Sequence, residues 1–63
     1  MTVKNDKARR QLKALVDRVG PLLLGWGYTA LVYRAREISE ECHADITTLQ
    51  YYHRELMAVS NDL

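Results

Sequence analysis

The few side chains that could coordinate a metal ion or act as nucleophiles lie in the second half of the chain. Cys42, His43 and Asp45 are close together in sequence, and His53 follows them. Zinc sites usually combine pairs of cysteines or histidines at short spacings, and no such pair occurs in this sequence. Neighbouring side chains on a helix point in different directions, so Cys42 and His43 would not form a nucleophile–base pair. We therefore predict no metal, no cofactor and no catalytic residue.

The length of the chain limits what it can fold into and what it can do. Its 63 residues fit a single domain, residues 1–63. A chain of this size buries only about 60% of its unfolded surface, so we expect a second copy to complete a marginal core. The lone Cys42 fits a reducing compartment and predicts a cytoplasmic protein. So small a domain has little room for a preformed substrate pocket, and we do not expect an enzyme.

Apolar residues at helical spacing predict a first helix in the N-terminal third of the chain. Asn5 or Asp6 could cap its start, and Gly20 followed by Pro21 is typical of a helix end. Its apolar stripe comprises Ala8, Leu12, Leu15, Val16 and Val19. Residues 21–28 then predict a short helix or turn. Residues 19–33 carry no charge, but this stretch is shorter than the about 20 residues that a membrane-spanning helix needs.

Two further helices are predicted in the C-terminal half. One should cover residues 29–42, and the other should begin after Asp45, whose carboxylate could accept the amide hydrogen bond of Thr47 or Thr48. The apolar stripe of the earlier helix comprises Leu31, Ala35, Ile38 and Cys42. The later stripe comprises Leu49, Tyr52, Leu56 and Val59, with Ile46 and His53 beside it. No strand pattern is present, so we predict an all-α bundle of three to four helices.

The short spacing between these last two helices is typical of a helix-turn-helix. Residues 43–45 form the turn, and Ser39 supplies a small residue where the second helix would cross the first. A second helix placed in a DNA major groove would point five side chains outward. The residues are Ile46, Thr47, Gln50, Tyr51 and Arg54. Ile46 suits a thymine methyl group, and Thr47 and Tyr51 suit backbone phosphates. Gln50 suits adenine edges, and Arg54 suits guanine or a phosphate.

The same block resembles a known family of regulators. Thr48-Leu-Gln-Tyr-Tyr-His-Arg54 is similar to the T-L-R-Y-Y-E-R signature of MerR-family regulators, and the similarity covers residues 33–57. With Gly27 and Tyr28 upstream, the block resembles TetR-family regulators more weakly. The resemblance implies a dimeric regulator with a DNA-reading helix at residues 46–54. Gln50 and His53 depart from the MerR signature, and the first 32 residues have no counterpart in that family.

The charge distribution leaves two functions open. Residues 1–20 carry six basic and two acidic side chains, whereas residues 21–63 carry three basic and six acidic ones. In a DNA-binding regulator, Lys7 and Arg10 would hold phosphates. The alternative is a small regulator that binds another protein without DNA, its basic first helix meeting an acidic partner. The residues that best suit a dimer or partner interface are Leu22, Leu24, Trp26 and Tyr33.

Overall fold

The described residues of the computed structural model form three α-helices. It describes the backbone of residues 3–23, 25, 27–41 and 44–63, and the side chains of these residues except 3–5 and 41. The helices are α1 (Val3–Leu23), α2 (Thr29–Glu41) and α3 (Ile46–Asn61). No strand occurs among the described residues. The predicted all-α class is confirmed, with three helices in the described ranges.

The first helix is longer than the sequence predicted at both ends. It begins at Val3, and Asp6 lies inside its first turn, where a carboxylate interacts favourably with the helix dipole. It also continues through Gly20 and Pro21 to Leu23, so the predicted end was wrong. A proline in the last turn removes only one backbone hydrogen bond, whereas the extra turn brings Leu23 to 0% exposure in the core.

Gly20 has a packing role instead of the predicted capping role. A β-carbon added at this position would lie 3.3 Å from Cγ1 of Val32, so the missing side chain lets α1 approach α2 closely. The glycine with a positive φ, 85°, is Gly27 in the turn that precedes α2. The predicted turn in this segment is therefore confirmed at residues 25 and 27.

The predicted apolar stripes form the core, with two additions from sequence positions that the prediction omitted. Leu23 and Val32 are buried, and both lie where α1 meets α2. The buried apolar residues are Leu12, Leu15, Val16, Val19, Leu23, Val32, Ala35, Ile38, Leu49 and Leu56. Half of these ten belong to α1, which shows that the N-terminal helix is the main packing partner of the other two.

The contacts of α1 define the topology of the bundle. Lys13 lies 3.7 Å from Glu40, and Gly20 lies against Val32, so α1 and α2 run antiparallel. Early residues of α1 share a groove with early residues of α3, and Arg18 shares one with Met57. Consequently α1 and α3 run in the same direction, and their N-termini lie at the same end of the bundle.

The start of α3 follows the sequence prediction closely. Oδ1 of Asp45 accepts a hydrogen bond from the backbone N–H of Thr48 at 2.9 Å, which confirms the predicted N-cap. On α2, Ser39 is buried at 4% exposure, and its hydroxyl donates to the carbonyl oxygen of Arg36 at 2.9 Å. This bond satisfies a polar group inside the core. Cys42, predicted to end this helix, and His43, predicted to begin the turn, lie outside the described residues.

Candidate nucleic-acid interface

The residues predicted to face DNA lie on one exposed side of α3. Leu49 and Leu56 are buried at 1% and 0% exposure, and they fix which face of the helix turns inward. The opposite face carries Ile46, Thr47, Gln50, Tyr51 and Arg54, all exposed. Positions separated by three or four residues are neighbours on a helix, so these five side chains form a continuous surface available to a partner.

An aromatic pair supports one edge of this surface. The rings of Tyr51 and Tyr52 meet edge to face, with centroids 5.1 Å apart and planes at 84°. Tyr51 is 48% exposed, whereas Tyr52 is half-buried against the core. Arg34 on α2 donates a hydrogen bond to Glu37 at 3.1 Å. This bond, and then the nearby hydroxyl of Tyr52, raise the pKa of the Arg34 guanidinium. Arg34 of α2 therefore lies close to the tyrosine pair of α3.

Most cations of the described residues have a carboxylate partner. On α1, Asp6 pairs with Arg9 and Arg10, and Lys13 pairs with both Asp17 and Glu40. On α2, Glu37 pairs with Arg34, and Glu40 pairs with Arg36. These pairs are exposed to solvent, which screens them, so they contribute little to stability. In each pair a carboxylate offsets the positive charge of a basic group, either on α2 or on α1.

Three cations are not neutralised in this way. Within the ranges that the structure describes, no ion pair involves Lys7, Arg18 or Arg54. Lys7, Gln11 and Arg18 are spaced so that they fall on one stripe of α1, and Gln11 and Arg18 line a groove against α3. Arg54 follows Gln50 by one helical turn on α3. All three free cations therefore lie on the side of the bundle formed by α1 and α3.

The groove between α1 and α3 has a volume of about 530 Å³. Its lining comprises Gln11, Ala14, Leu15, Arg18, His53 and Met57. A smaller depression of about 110 Å³ continues it toward the start of α3, and its lining comprises Ala8, Gln11, Leu49, Gln50 and His53. Neither lining includes a carboxylate, so the groove combines an apolar floor with hydrogen-bond donors and a cation.

The acidic side chains of the C-terminal half are concentrated away from this groove. Glu37 and Glu40 lie on α2, and the side chain of Glu40 reaches Lys13 on the α2-facing side of α1. The sequence of α3 contains a single carboxylate, Glu55, and that side chain is half-buried. Two further exposed carboxylates cap the helix, Asp45 at its start and Asp62 at its end. The acidic side chains described in residues 21–63 therefore lie on α2, at the two ends of α3 and at half-buried Glu55, and not along the exposed face of α3.

The sequence prediction identified some of these basic residues and missed others. Lys7 is exposed on α1 as expected. Arg10 is also highly exposed, with a side-chain exposure of 79%, and Nη2 lies 2.9 Å from Asp6. Arg18 and His53 were not selected, although both line the groove. Helical spacing from Lys7 places Arg18 on the same stripe, but only the packing of α1 on α3 reveals that His53 faces it.

The residues proposed for a dimer or partner interface are exposed where the structure describes them. Leu22 is 56% exposed and Tyr33 is 53% exposed, whereas the predictions for Leu24 and Trp26 fall outside the described residues. Tyr28 and Leu63 are large apolar side chains that are also exposed, at 45% and 54%. Leu22 lies in the last turn of α1, Tyr28 precedes α2 and Leu63 follows α3, and these helix ends meet at one end of the bundle.

Comparison with protein-family models, curated proteins and solved structures finds no match to this chain. The described side chains contain no cluster of three or more potential metal ligands. The described helices also include none with the length and apolar character needed to cross a bilayer.

Proposed function

We propose that this protein is a DNA-binding regulator of the helix-turn-helix type that acts as a dimer. The exposed face of α3 contacts base edges, and Lys7, Arg18 and Arg54 neutralise backbone phosphates. The observation that carries this proposal is the location of these cations. Among the described basic side chains, the three without a carboxylate partner all lie on the side formed by α1 and α3.

The side chains of α3 have the chemistry required for reading DNA. A major groove admits one α-helix, and a glutamine can form two hydrogen bonds with an adenine edge. Gln50 takes this role, while Arg54 contacts guanine or a phosphate. Thr47 and Tyr51 donate hydrogen bonds to phosphates, and Ile46 packs on a thymine methyl group. Because the carboxylates of α2 lie elsewhere, they do not repel the backbone at this face.

The shape of the bundle supports a dimer joined at its apolar end. The C-termini of α1 and α3 and the N-terminus of α2 lie at this end, together with Leu22, Tyr28 and Leu63. The bundle measures 35 Å along its longest axis. A twofold axis at this end separates the two α3 helices by about one molecular length, and dimeric helix-turn-helix proteins bind half-sites about 34–36 Å apart.

DNA binding is tested with a fluorescently labelled random duplex, with anisotropy measured between about 50 and 200 mM salt. Three phosphate contacts per protomer, and so six per dimer, predict a roughly 1,800-fold loss of affinity over this range, because each contact contributes about 0.9 to the logarithmic salt slope. The double variant Lys7→Gln/Arg54→Gln removes two contacts from each protomer and should reduce the slope of the dimer by about 3.6. Arg34→Gln/Arg36→Gln removes the same charge from α2 and should leave the slope unchanged. Absence of wild-type binding at 50 mM salt would refute the proposal.

The dimer is tested by light scattering at micromolar concentration. Leu22→Glu places a charge on the apolar end and should produce a monomer, because burying an unpaired carboxylate is strongly unfavourable. Thr47→Glu adds the same charge at an exposed position near the start of α3, at the opposite end of the bundle, and should leave the dimer intact. A wild-type protein that is monomeric and fully folded would contradict this part of the proposal.

A second candidate function is binding of another protein without DNA. The observation that favours it is the exposed Tyr33 at 53%, which lies on α2 with Glu37 and Glu40 and away from the α3 surface. Tyrosine is common at binding hot spots. Under this function Tyr33→Ala weakens partner binding, whereas Gln50→Ala has no effect. Under the DNA-binding function the Gln50→Ala variant changes sequence preference and Tyr33→Ala does not.

A further inference from the structure

We propose that the groove between α1 and α3 holds one deoxyribose–phosphate unit of a DNA strand, with Arg18 as the phosphate ligand and His53 as a hydrogen-bond donor. This inference rests on the proposed DNA-binding function. It adds a defined backbone site, formed in part by the N-terminal helix, to the exposed face of α3.

The lining of the groove matches the chemistry of a nucleotide backbone. A sugar ring is largely apolar, and the phosphate attached to it is an anion that accepts several hydrogen bonds. Ala14, Leu15 and Met57 provide an apolar floor, while Arg18 and His53 provide polar groups at the same groove. A groove of about 530 Å³ lined without a carboxylate can accept this combination of apolar and anionic groups.

The charge of Arg18 is available to a ligand. Its neighbour Asp17 pairs with Lys13 at 3.9 Å, and Asp17 also lines the separate groove between α1 and α2. Successive residues on a helix point about 100° apart, so Asp17 lines the groove toward α2 and Arg18 lines the groove toward α3. The nearest acidic residue in sequence therefore does not cancel the positive charge of Arg18 in the groove.

Occupation of this groove would fix how the protein lies on DNA. Because α1 and α3 run in the same direction, a strand that follows the groove passes alongside α3. Gln50 lies next to this path, since it lines the depression that continues the groove. Lys7 lies eleven residues before Arg18, or about 16 Å along α1 at the rise of an α-helix. Lys7 and Arg18 would thus hold two separate phosphates.

The decisive experiment compares Arg18→Gln with Arg36→Gln on the labelled random duplex. Arg36 is also exposed, but it lies on α2 and pairs with Glu40. Arg18→Gln removes one phosphate contact from each protomer and should reduce the logarithmic salt slope of the dimer by about 1.8. Its affinity deficit relative to wild type should therefore shrink about 12-fold between 50 and 200 mM salt. Arg36→Gln should retain the wild-type slope. The deficit of Arg18→Gln should be the same on duplexes of different sequence, because phosphate contacts carry no sequence information.

A second pair of variants tests occupation of the groove itself. Ala14 and Ala30 are both exposed helical alanines, and glutamate is well tolerated in helices. Ala14→Glu places a carboxylate in the groove and should weaken binding at least about tenfold more than Ala30→Glu, by repulsion of the phosphate. His53→Leu should weaken binding about 2- to 10-fold through loss of one hydrogen bond. Circular dichroism checks that each variant retains the helical content of the wild type, and light scattering checks that Ala30→Glu, which lies near the end of the bundle where the dimer is proposed, has the oligomeric state of the wild type.

The outcomes separate this inference from the proposed function. If the wild type binds duplex DNA but Arg18→Gln keeps the wild-type slope, the groove is not a phosphate site although DNA binding stands. Equal effects of Ala14→Glu and Ala30→Glu would also overturn the inference. If the wild type does not bind DNA at 50 mM salt, both the function and the groove assignment are overturned.

Discussion

Replacement of Gly20 by alanine tests how closely α1 approaches α2. The new β-carbon would lie 3.3 Å from Cγ1 of Val32, whereas carbon atoms pack best at about 3.5–4.0 Å. Val32 is only 3% exposed and is β-branched, so its methyl group has little freedom to rotate within a helix. The two helices must therefore separate slightly to relieve the contact.

The expected magnitude follows from two opposing effects. Alanine in place of glycine in a helix contributes about 0.5–1 kcal/mol of stability. Forcing an extra carbon into a well-packed core costs about 1–3 kcal/mol. We expect Gly20→Ala to lower the free energy of unfolding by about 0.5–2 kcal/mol. For a domain of this size, each kcal/mol corresponds to a fall in Tm of about 4–8 °C.

Thermal and urea denaturation followed by circular dichroism measures the effect. Gly25→Ala is the matched control, because a β-carbon at Gly25 meets nothing within 4 Å. The double variant Gly20→Ala/Val32→Ala should be less destabilised than the sum of the single changes, with a coupling of about 0.5–2 kcal/mol. A Gly20→Ala protein that is more stable than the wild type would refute the close approach of α1 and α2.

Two further substitutions test the start of α3 and the core. Asp45→Ala should lower Tm because it removes the acceptor for the Thr48 amide, whereas Asp45→Asn should retain most of the cap. The backbone N–H of Thr48, followed by its hydroxyl, lowers the pKa of the Asp45 carboxyl. Its contribution to stability is therefore full above the unfolded pKa of about 4 and is lost as pH falls through the folded value. An acid titration that Asp45→Asn leaves unchanged would contradict this contribution. Leu56→Ala should lower the free energy of unfolding by about 2–5 kcal/mol, enough to unfold much of a marginally stable domain. Urea denaturation measures it, and a loss below about 1 kcal/mol would show that Leu56 is not a central core residue.

Periodicity predicted the core well because burial of an apolar stripe decides where a helix packs. The residues of α3 that point inward and outward could be assigned from the spacing of Leu49 and Leu56 alone. The end of α1 was predicted wrongly for a physical reason. Gly20 and Pro21 are local signals for a helix end, but burial of Leu23 and the close approach at Gly20 override them.

The candidate site was only partly predictable. The exposed face of α3 follows from the sequence, and the structure places its predicted residues together. The contribution of Arg18 and His53 depends on α1 packing beside α3 in the same direction, and these residues are 35 positions apart in the sequence. The charge totals of the two halves were also misleading. The total for residues 21–63 includes Glu37 and Glu40, which pair with cations of α2 and α1 and lie away from the exposed face of α3.

The share of the core supplied by α1 has a consequence for fragments of this protein. Five of the ten buried apolar residues among those described belong to α1, so residues 28–63 alone expose the apolar faces of both remaining helices. Proteolysis between Gly25 and Gly27 would produce two peptides that each lack a folding partner. Their helical content should rise with concentration when they are mixed, as in a split protein reconstituted by mass action. The segment that contains α2 and α3 therefore cannot be transplanted without the N-terminal helix α1.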